Sequence, residues 1–253
     1  MRAASSTATR QATIGLGLSA AIIAAWLMIH VSGVHFLQLS DIVDLAWALP
    51  LAAIQCWLSV GLFIISHDAI HGSLVPGQPR VNRAMGWLTM TLYAGFNYDR
   101  MAAAHHQHHA APGTAEDPDF SVQHPRAFWP WFAEFFGRYF GWRPLIFVNA
   151  VVVVYWLILG APMANIFVFY GLPALCSAAQ LFYFGTYRTH RHESGSGFAD
   201  HHNARSTPFG WLGSLASCYH FGYHHEHHLF PHEPWWRLPA RHAEQRGARD
   251  LVA

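Results

Sequence analysis

Residues 45–71 read LAWALPLAAIQCWLSVGLFIISHDAIH, an apolar run that ends in two histidines. The run from 45 to 66 contains no charged residue, and a hydrocarbon core of about 30 Å needs about 20 such residues in helical form. His67 and His71 follow at positions i and i+4, which places both side chains on one face of a continuing helix. The stretch therefore predicts a transmembrane helix that carries two candidate metal ligands at one end.

The composition of the whole chain is typical of a membrane protein. Of its 253 residues, 53% are apolar and 11% are charged, whereas soluble domains carry about 25% charged residues. All fifteen basic residues are arginines and the net charge is +1, so no concentrated basic face is available for nucleic acid. Cys56, Cys176 and Cys218 are far apart, which indicates neither a disulfide framework nor a thiolate metal site.

Three further stretches, residues 13–35, 144–159 and 164–187, are also apolar enough to cross a bilayer. The first is too long for the apolar part of a signal peptide, so we interpret it as an uncleaved span. A weaker stretch at 84–104 predicts a helical hairpin that dips into the membrane without crossing it. We thus predict an all-α integral membrane protein with four transmembrane helices and one such hairpin. It would form one domain over residues 1–253, with flexible ends at 1–12 and 242–253.

The arginines give the orientation, because cytoplasmic loops hold the positive charge of a membrane protein. With the N-terminus inside, all fifteen arginines lie on the cytoplasmic side, and the two outer connections at 37–44 and 160–163 contain none. We therefore expect a cytoplasmic helical cap over the membrane helices, with the histidine-rich segments at its base.

Three histidine clusters, HDAIH, HHQHH and HHEHH, have helical spacing and lie at cytoplasmic ends of membrane segments. They contain His67, His71, His105, His108, His109, His224, His227 and His228. Neutral imidazole suits iron and zinc. Eight or nine imidazoles are too many for one ion, so the clusters predict a dimetal site with open positions for oxygen or substrate.

A histidine-rich metal carrier is the competing interpretation of these clusters, but it would favour irregular spacing and polar residues deep within the spans. The sequence GLGLSA at 15–20 fits a dinucleotide fingerprint, yet it lies inside a predicted span without a preceding strand. We find no binding residues for a nicotinamide or flavin cofactor. Electrons for a redox reaction would have to come from a partner.

Six stretches carry a resemblance to a known family. They are HDAIHGSLVPGQPR (67–80), LYAGFNYDRM (92–101), DPDF (117–120), FGTYRTHR (184–191), HNARS (202–206) and HFGYHHEHHLFPHEPWWRLP (220–239). Over residues 61–239 the chain resembles the membrane-bound, fatty-acid-desaturase-like di-iron enzymes. Within them it resembles the bacterial beta-carotene ketolases, the carotenoid 4-oxygenases, chiefly through the PWWRLP tail.

The resemblance implies two Fe2+ ions bound by the eight clustered histidines and by a ninth, His190. Desaturases carry N-x-x-x-H at this point, whereas the chain has Thr186 in place of the asparagine; His192 and His202 are the alternatives for the ninth ligand. No catalytic residue separate from the metal ligands is implied. Asp68, Asp117, Asp119 and Glu226 adjoin the ligands and could orient their imidazoles.

The implied reaction uses O2 to oxidise C4 of a β-ionone ring twice, so that β-carotene becomes echinenone and then canthaxanthin. A carotenoid hydroxylase and an acyl-lipid desaturase are the alternatives within the same superfamily. The implied partners are a carotenoid that enters from the lipid membrane and an electron donor such as a ferredoxin. The implied location is the bacterial inner membrane. Residues such as Tyr93, Ala94, Gly95, Phe96 and Phe184 could line a substrate slot, or could be ordinary core.

Overall fold

A computed structural model describes residues 2–193, 197–207 and 209–250, in which the regular elements are helices. Ten helices follow one another along the chain: α1 Arg2–His35, α2 Ile42–Ile70, α3 Pro79–Ala94, α4 Tyr98–Ala110, α5 Phe128–Tyr139, α6 Trp142–Ile158, α7 Met163–His190, α8 Trp211–Cys218, α9 His224–Leu229 and α10 Leu238–Asp250. A single 3-10 turn, Trp235–Arg237, precedes α10.

Three of these helices are long and apolar enough to cross a membrane: the Ser6–His35 part of α1, α2 and α7. The predicted span at 144–159 corresponds to α6, which meets the same criteria only together with α5, across a bend of 81°. The prediction of an all-helical membrane protein is thus confirmed. By length and composition there are three candidate spans among the described residues, or four if the bent pair is one span, so the predicted four crossings stay a prediction.

The apolar run at 45–66 and the HDAIH cluster lie in α2 and at its end, and both ends of the helix are well defined. Asp41 caps the helix by accepting hydrogen bonds from the backbone N–H groups of Val43 and Asp44, at 2.9 and 3.0 Å. The helix continues beyond Ser66, so that His67 lies in its last turn and His71 is its C-cap residue. Both histidines therefore lie at the C-terminal end of α2, and the helix fixes their positions.

Two wide π-helical turns, Phe167–Gly171 and Tyr183–Tyr187, interrupt α7. Because Pro173 has no backbone N–H, the Phe169 carbonyl is free to accept a hydrogen bond from Nδ1 of His30, at 3.3 Å. His30 is buried at this contact between α1 and α7. The second wide turn directly precedes His190 and sets the face of α7 on which that side chain lies.

Helices α1, α2 and α7 share two common ends. At the histidine end, where α2 and α7 finish, Gln11 of α1 donates a hydrogen bond to the Ser73 carbonyl, at 2.6 Å. At the far end, the Asn165 amide of α7 donates to the Gly33 and Leu37 carbonyls, at 2.7 and 2.8 Å. These three helices therefore lie alongside one another over the same distance.

The predicted hairpin at 84–104 forms α3 and α4, joined by residues 95–97. Gly95 takes a left-handed conformation, with φ of 69°, which glycine adopts without strain. The helical hairpin is as expected, whereas its entry into the membrane stays a prediction. At the chain ends, residues 2–12 belong to α1 and 242–250 to α10, so both ends are helical over their described residues.

Candidate metal centre

The structure brings all nine predicted ligands together in two adjacent groups. The first histidine group consists of His67, His71, His105, His109 and His227, and the second histidine group consists of His108, His190, His224 and His228. Within each group, one ring nitrogen per residue lies within 4.8 Å of those of the other members. Residues from α2, α4, α7 and α9 thus converge at the histidine end of the bundle.

Helix periodicity explains how the clusters divide between the groups. Residues at i and i+4 differ by about 40° around a helix axis, whereas i+3 and i+4 differ by about 100°. In α4, His105 and His109 accordingly belong to the first group and His108 to the second. In α9, His224 and His228 stay together in the second group, while His227 joins the first. Two clusters therefore contribute to both groups.

The nitrogen–nitrogen distances within the groups fit coordination of one ion by each. In the first group, Nε2 of His227 lies 3.1 Å from Nε2 of His67 and 2.9 Å from Nε2 of His109. In the second group, Nε2 of His228 lies 3.3 Å from Nε2 of His108 and 3.2 Å from Nε2 of His224. Nitrogens bound about 2.1 Å from one ion lie roughly 3.0–3.4 Å apart.

The outward ring nitrogens of two members are held by hydrogen bonds. Nδ1 of His190 donates to the Asn203 carbonyl, at 2.8 Å, and its Nε2 is buried without a partner among the described residues. Nδ1 of His108 donates to both Asp117 oxygens, at 2.9 Å. An unpaired buried acceptor costs free energy, and a metal ion would satisfy the one on His190. The Nδ1 atoms of His224 and His228 lack such a partner.

The protonation states of the clustered imidazoles also suit a metal. Burial, followed by repulsion from His108 and other histidines, lowers the pKa of His109 to about 2. Burial and the neighbouring imidazoles also lower the pKa values of His105 and His227 well below the usual range. These rings are neutral near pH 7, so their lone pairs are available to a cation.

His108 of the second histidine group is an exception, because its pKa is raised. Burial disfavours the charged form of His108, but the Asp117 hydrogen bond and the nearby carboxylates outweigh it and raise the pKa of His108. Hydrogen bonds from His108 and from two backbone N–H groups oppose the effect of burial and lower the pKa of Asp117. Asp117 is therefore an ionised acceptor that fixes the orientation of His108.

The four acidic residues expected to orient ligands have different partners. Asp117 contacts His108 as expected, and Asp68 lies 3.5 Å from Nδ1 of His67 while accepting the Trp235 backbone N–H, at 3.1 Å. Asp119 is 3.9 Å from Nδ1 of His108, too far for a hydrogen bond. Glu226 contacts His242 and Ser206 instead of a candidate ligand, so its expected role was wrong.

Residues between the ligands of α9 anchor the helix from outside. Nε2 of His225 donates to Asp200, at 2.8 Å, and Nδ1 of His242 in α10 donates to Glu226, at 2.8 Å. Of the two alternatives for the ninth ligand, His192 contacts the Gly113 carbonyl and His202 contacts Asp200. Neither belongs to a histidine group, whereas His190 does.

A cavity, the histidine cavity, adjoins both groups. Four candidate ligands line it, together with Asp119, Tyr139 and Thr186 and with apolar side chains that include Phe135 and Leu181. The cavity thus lies where a small molecule and one end of a larger one could contact both groups.

An aromatic channel continues from the histidine cavity. Two further cavities form it, the first sharing Phe135, Tyr139 and Leu181 with the histidine cavity and the second sharing Tyr93 and Phe96 with the first. The outer part has an almost entirely apolar lining and ends near Leu175, Ala174 and Gly171, of which Leu175 is exposed on the surface of α7. The three cavities therefore form a row between the exposed surface of α7 and the candidate metal centre.

The residues expected from the sequence to line a slot form only part of the channel wall. Tyr93, Ala94 and Phe96 line it as expected, whereas Gly95 packs on Phe147 and Phe184 on Phe209. The missed wall consists of residues of α5 and the residue after it: Phe135, Phe136, Tyr139 and Phe140. The aromatic run FWPWFAEFFGRYF at 128–140 was the signal that could have indicated it.

Comparison with known proteins agrees with this geometry. The family model described as fatty acid desaturase matches residues 44–150 and 138–251. The chain belongs to the fatty acid desaturase family. The predicted resemblance is thus confirmed, and the matched ranges include all nine clustered histidines.

Relatives within the desaturase family carry more specific names. A beta-carotene ketolase of Paracoccus sp. (strain PC1) is 46% identical over 91% of this chain and 93% of its own length. A beta-carotene ketolase of Paracoccus sp. (strain N81106 / MBIC 01143) is 49% identical over 88% and 90%. A zeaxanthin 4-ketolase of Chlamydomonas reinhardtii is 35% identical over 92% of this chain and 54% of its own length. No solved structure matches the chain.

Proposed function

We propose that this protein is a beta-carotene ketolase, an O2-dependent oxygenase that converts C4 of β-ionone rings to a ketone. The observation that carries the proposal is the histidine cavity, which adjoins both histidine groups and continues into the aromatic channel. A long hydrocarbon could occupy such a channel with its terminal ring beside the metals. Relatives of 46–49% identity that bear this name support the choice of substrate.

The two histidine groups would each hold one Fe2+ ion. When bound, the two ions supply the reductive activation of dioxygen. The protein orients the ligands: Asp117 holds the Nδ1 proton of His108, and the Asn203 carbonyl holds that of His190. The apolar channel lining excludes water from the polyene and aims one ring at the cavity. The low pKa values of His105 and His227 keep their lone pairs free.

The overall change at C4 needs two rounds of oxidation. Each round uses one O2, two electrons and two protons; the first forms an alcohol and one water. The second forms a geminal diol and one water, and the diol loses water to leave the ketone. The electrons would come from an external donor such as a ferredoxin.

We also propose that the histidine end faces the cytoplasm of a bacterium and that the chain is an inner-membrane protein of one domain. The distribution of the fifteen arginines supports this orientation. A donor in the cytoplasm could then reach the cap that covers the histidine groups.

Expression in a bacterium that accumulates β-carotene tests the activity. Echinenone and canthaxanthin should form with the natural chain, and His105→Ala should abolish them because His105 belongs to the first histidine group. His106→Ala is the matched control, since His106 is the exposed neighbour on α4 and belongs to neither group. Unchanged β-carotene despite an iron-loaded, membrane-inserted chain would rule out the ketolase activity.

The same cultures separate the alternatives within the family. Rings hydroxylated at C3 would indicate a carotenoid hydroxylase, and new double bonds in membrane acyl chains would indicate an acyl-lipid desaturase. A histidine-rich carrier would leave both lipids and pigments unchanged and would alter the metal content of the cells.

A further inference from the structure

Asp119 lines the histidine cavity, but no candidate ligand needs it for orientation. Both oxygens of Asp117 already accept the Nδ1 proton of His108, at 2.9 Å, whereas the nearer Asp119 oxygen is 3.9 Å from that nitrogen. Tyr139 donates its hydroxyl proton to Oδ1 of Asp119. Oδ2 of Asp119 accepts no hydrogen bond from the described residues, and its side chain is 14% exposed. Oδ2 of Asp119 can thus accept a further hydrogen bond at the cavity wall.

A hydrocarbon substrate does not explain a carboxyl group at this position. The aromatic channel is lined almost entirely by apolar side chains, and β-carotene has no group that can donate a hydrogen bond. Packing an apolar ring against an acceptor without a donor costs free energy. The product of the first oxidation is different, because its new C4 hydroxyl is a donor next to the reacting carbon.

We propose that Asp119, oriented by Tyr139, accepts a hydrogen bond from the hydroxyl of the C4 alcohol and so retains this alcohol for the second oxidation. The inference rests on the proposed function and adds a binding role for a residue that is not a metal ligand. In the second round the alcohol, O2, two electrons from the donor and two protons give the geminal diol and one water. The diol then loses water and becomes the ketone.

Asp119 affects whether the C4 alcohol is released or oxidised again. After the first round, the alcohol either leaves through the aromatic channel or stays and is oxidised again. A hydrogen bond to the Asp119 carboxyl lowers the free energy of the bound alcohol but not that of the hydrocarbon, which cannot make it. Its loss should increase the escape of the alcohol about tenfold, with little effect on the first oxidation. Tyr139 acts through Asp119 and is a positioning residue.

The test is the ratio of C4 alcohol to C4 ketone produced by variants in a β-carotene-accumulating host. Asp119→Leu removes the acceptor and should raise the ratio about tenfold, and Tyr139→Phe should raise it severalfold while keeping the ring in the channel wall. Tyr187→Phe is the matched control, because the Tyr187 hydroxyl donates to the Arg126 carbonyl and does not line the cavity. Its ratio should equal that of the natural chain.

Iron content and total oxygenated carotenoid, measured in parallel, identify each outcome. If the natural chain yields no oxygenated carotenoid, the proposed function itself fails. If it yields ketone, and both variants keep their iron with an unchanged ratio, only the role of Asp119 is overturned. An equal fall of alcohol and ketone in Tyr139→Phe would indicate a merely structural role and would also overturn it.

A second comparison identifies which hydroxyl of the carotenoid Asp119 binds. The variants are compared in a host that makes 3-hydroxylated rings and in one that makes only unhydroxylated rings. An effect in the unhydroxylated host supports recognition of the C4 alcohol. An effect confined to the 3-hydroxylated host would mean that Asp119 binds the C3 hydroxyl of the substrate, which overturns the proposal.

Discussion

At the scale of the residue, adjacent histidines of one helix differ: one belongs to a histidine group and its neighbour does not. In α4, His105 points into the first histidine group whereas His106 is exposed. In α9, His224 belongs to the second group whereas His225 turns outwards to Asp200. The clustered histidines with helical spacing lie together in the structure, and their role as metal ligands stays a prediction. Periodicity separates His108 from His105 and His109, but it does not tell which helices supply each group, because this depends on how closely α9 approaches both α2 and α4.

The ninth ligand gives a direct test at this scale. Removing the imidazole in His190→Ala should lower the iron content of the purified protein by about half, because the second histidine group would keep only three nitrogens. His192→Ala is the control: His192 contacts the Gly113 carbonyl instead of a group, so its iron content should stay near that of the natural chain. Iron per chain is measured by atomic emission. The reverse result would assign the ninth position to His192.

The lowered pKa values predict how the stability of the metal-free protein depends on pH. In the unfolded chain, His105, His109 and His227 take up protons below about pH 6.5, whereas burial keeps them neutral in the folded state. The unfolded state then binds more protons, so the free energy of unfolding should fall as the pH drops below 6.5. Each such residue contributes about 1.4 kcal/mol per pH unit. His108, whose pKa is raised, offsets part of this loss.

Thermal unfolding of the metal-free protein in detergent, followed by tryptophan fluorescence between pH 7.5 and 5, measures this dependence. His109→Gln removes one titrating group and should make the decline with falling pH shallower by about one proton. A melting temperature that stays constant or rises towards pH 5 would show that these imidazoles are charged in the folded state.

At the scale of the element, the sequence predicted the long helices better than the contacts between them. The apolar runs indicated α1, α2, α6 and α7 because membrane thickness sets the length of such a run. The bend between α5 and α6 was missed, since no residue pattern separates the aromatic run at 128–140 from an ordinary amphipathic helix. That bend brings Tyr139 to Asp119 and α5 to the channel, so the substrate pocket could not be derived from spacing alone.

Two glycine substitutions should differ in their effect on stability, one at a closely packed position in α3 and one at an open position in α5. A Cβ atom on Gly86 would collide with the Tyr98 ring, so Gly86→Ala should destabilise the protein by about 1–3 kcal/mol. Gly137 lies in α5 with no atom within 4 Å of an added Cβ, so Gly137→Ala should be neutral or stabilise by up to about 1 kcal/mol. Melting temperatures in detergent at constant pH compare the two; equal shifts would contradict the packing at Gly86.

At the scale of the whole molecule, the convergence of the histidines restricts the topology. His67 near the end of α2 and His190 at the end of α7 belong to adjacent groups, so both helices run towards the histidine end. The chain that leaves α2 there must return to the far end before α7 begins at Met163. Helix α6 is the candidate for this return, since Tyr155 near its end donates its hydroxyl proton to Nε2 of His30 in α1, at 2.9 Å. A return by α6 would give four crossings, as the sequence predicts, instead of three.

Cysteine labelling distinguishes the two topologies. With four crossings and the histidine end in the cytoplasm, Gln38→Cys and Met163→Cys should both react with a membrane-impermeant maleimide added to intact cells, because both positions are exposed at the far end. Gln123→Cys, exposed in the loop before α5, should react only after the cells are opened. With three crossings and the same N-terminus, Gln38→Cys would label from outside and Met163→Cys would not. The natural chain supplies the background from Cys56, Cys176 and Cys218. Because the histidine groups need α2 and α7 to end on the same side, an external Gln38 together with a cytoplasmic Met163 would contradict both the four-span topology and the shared metal centre.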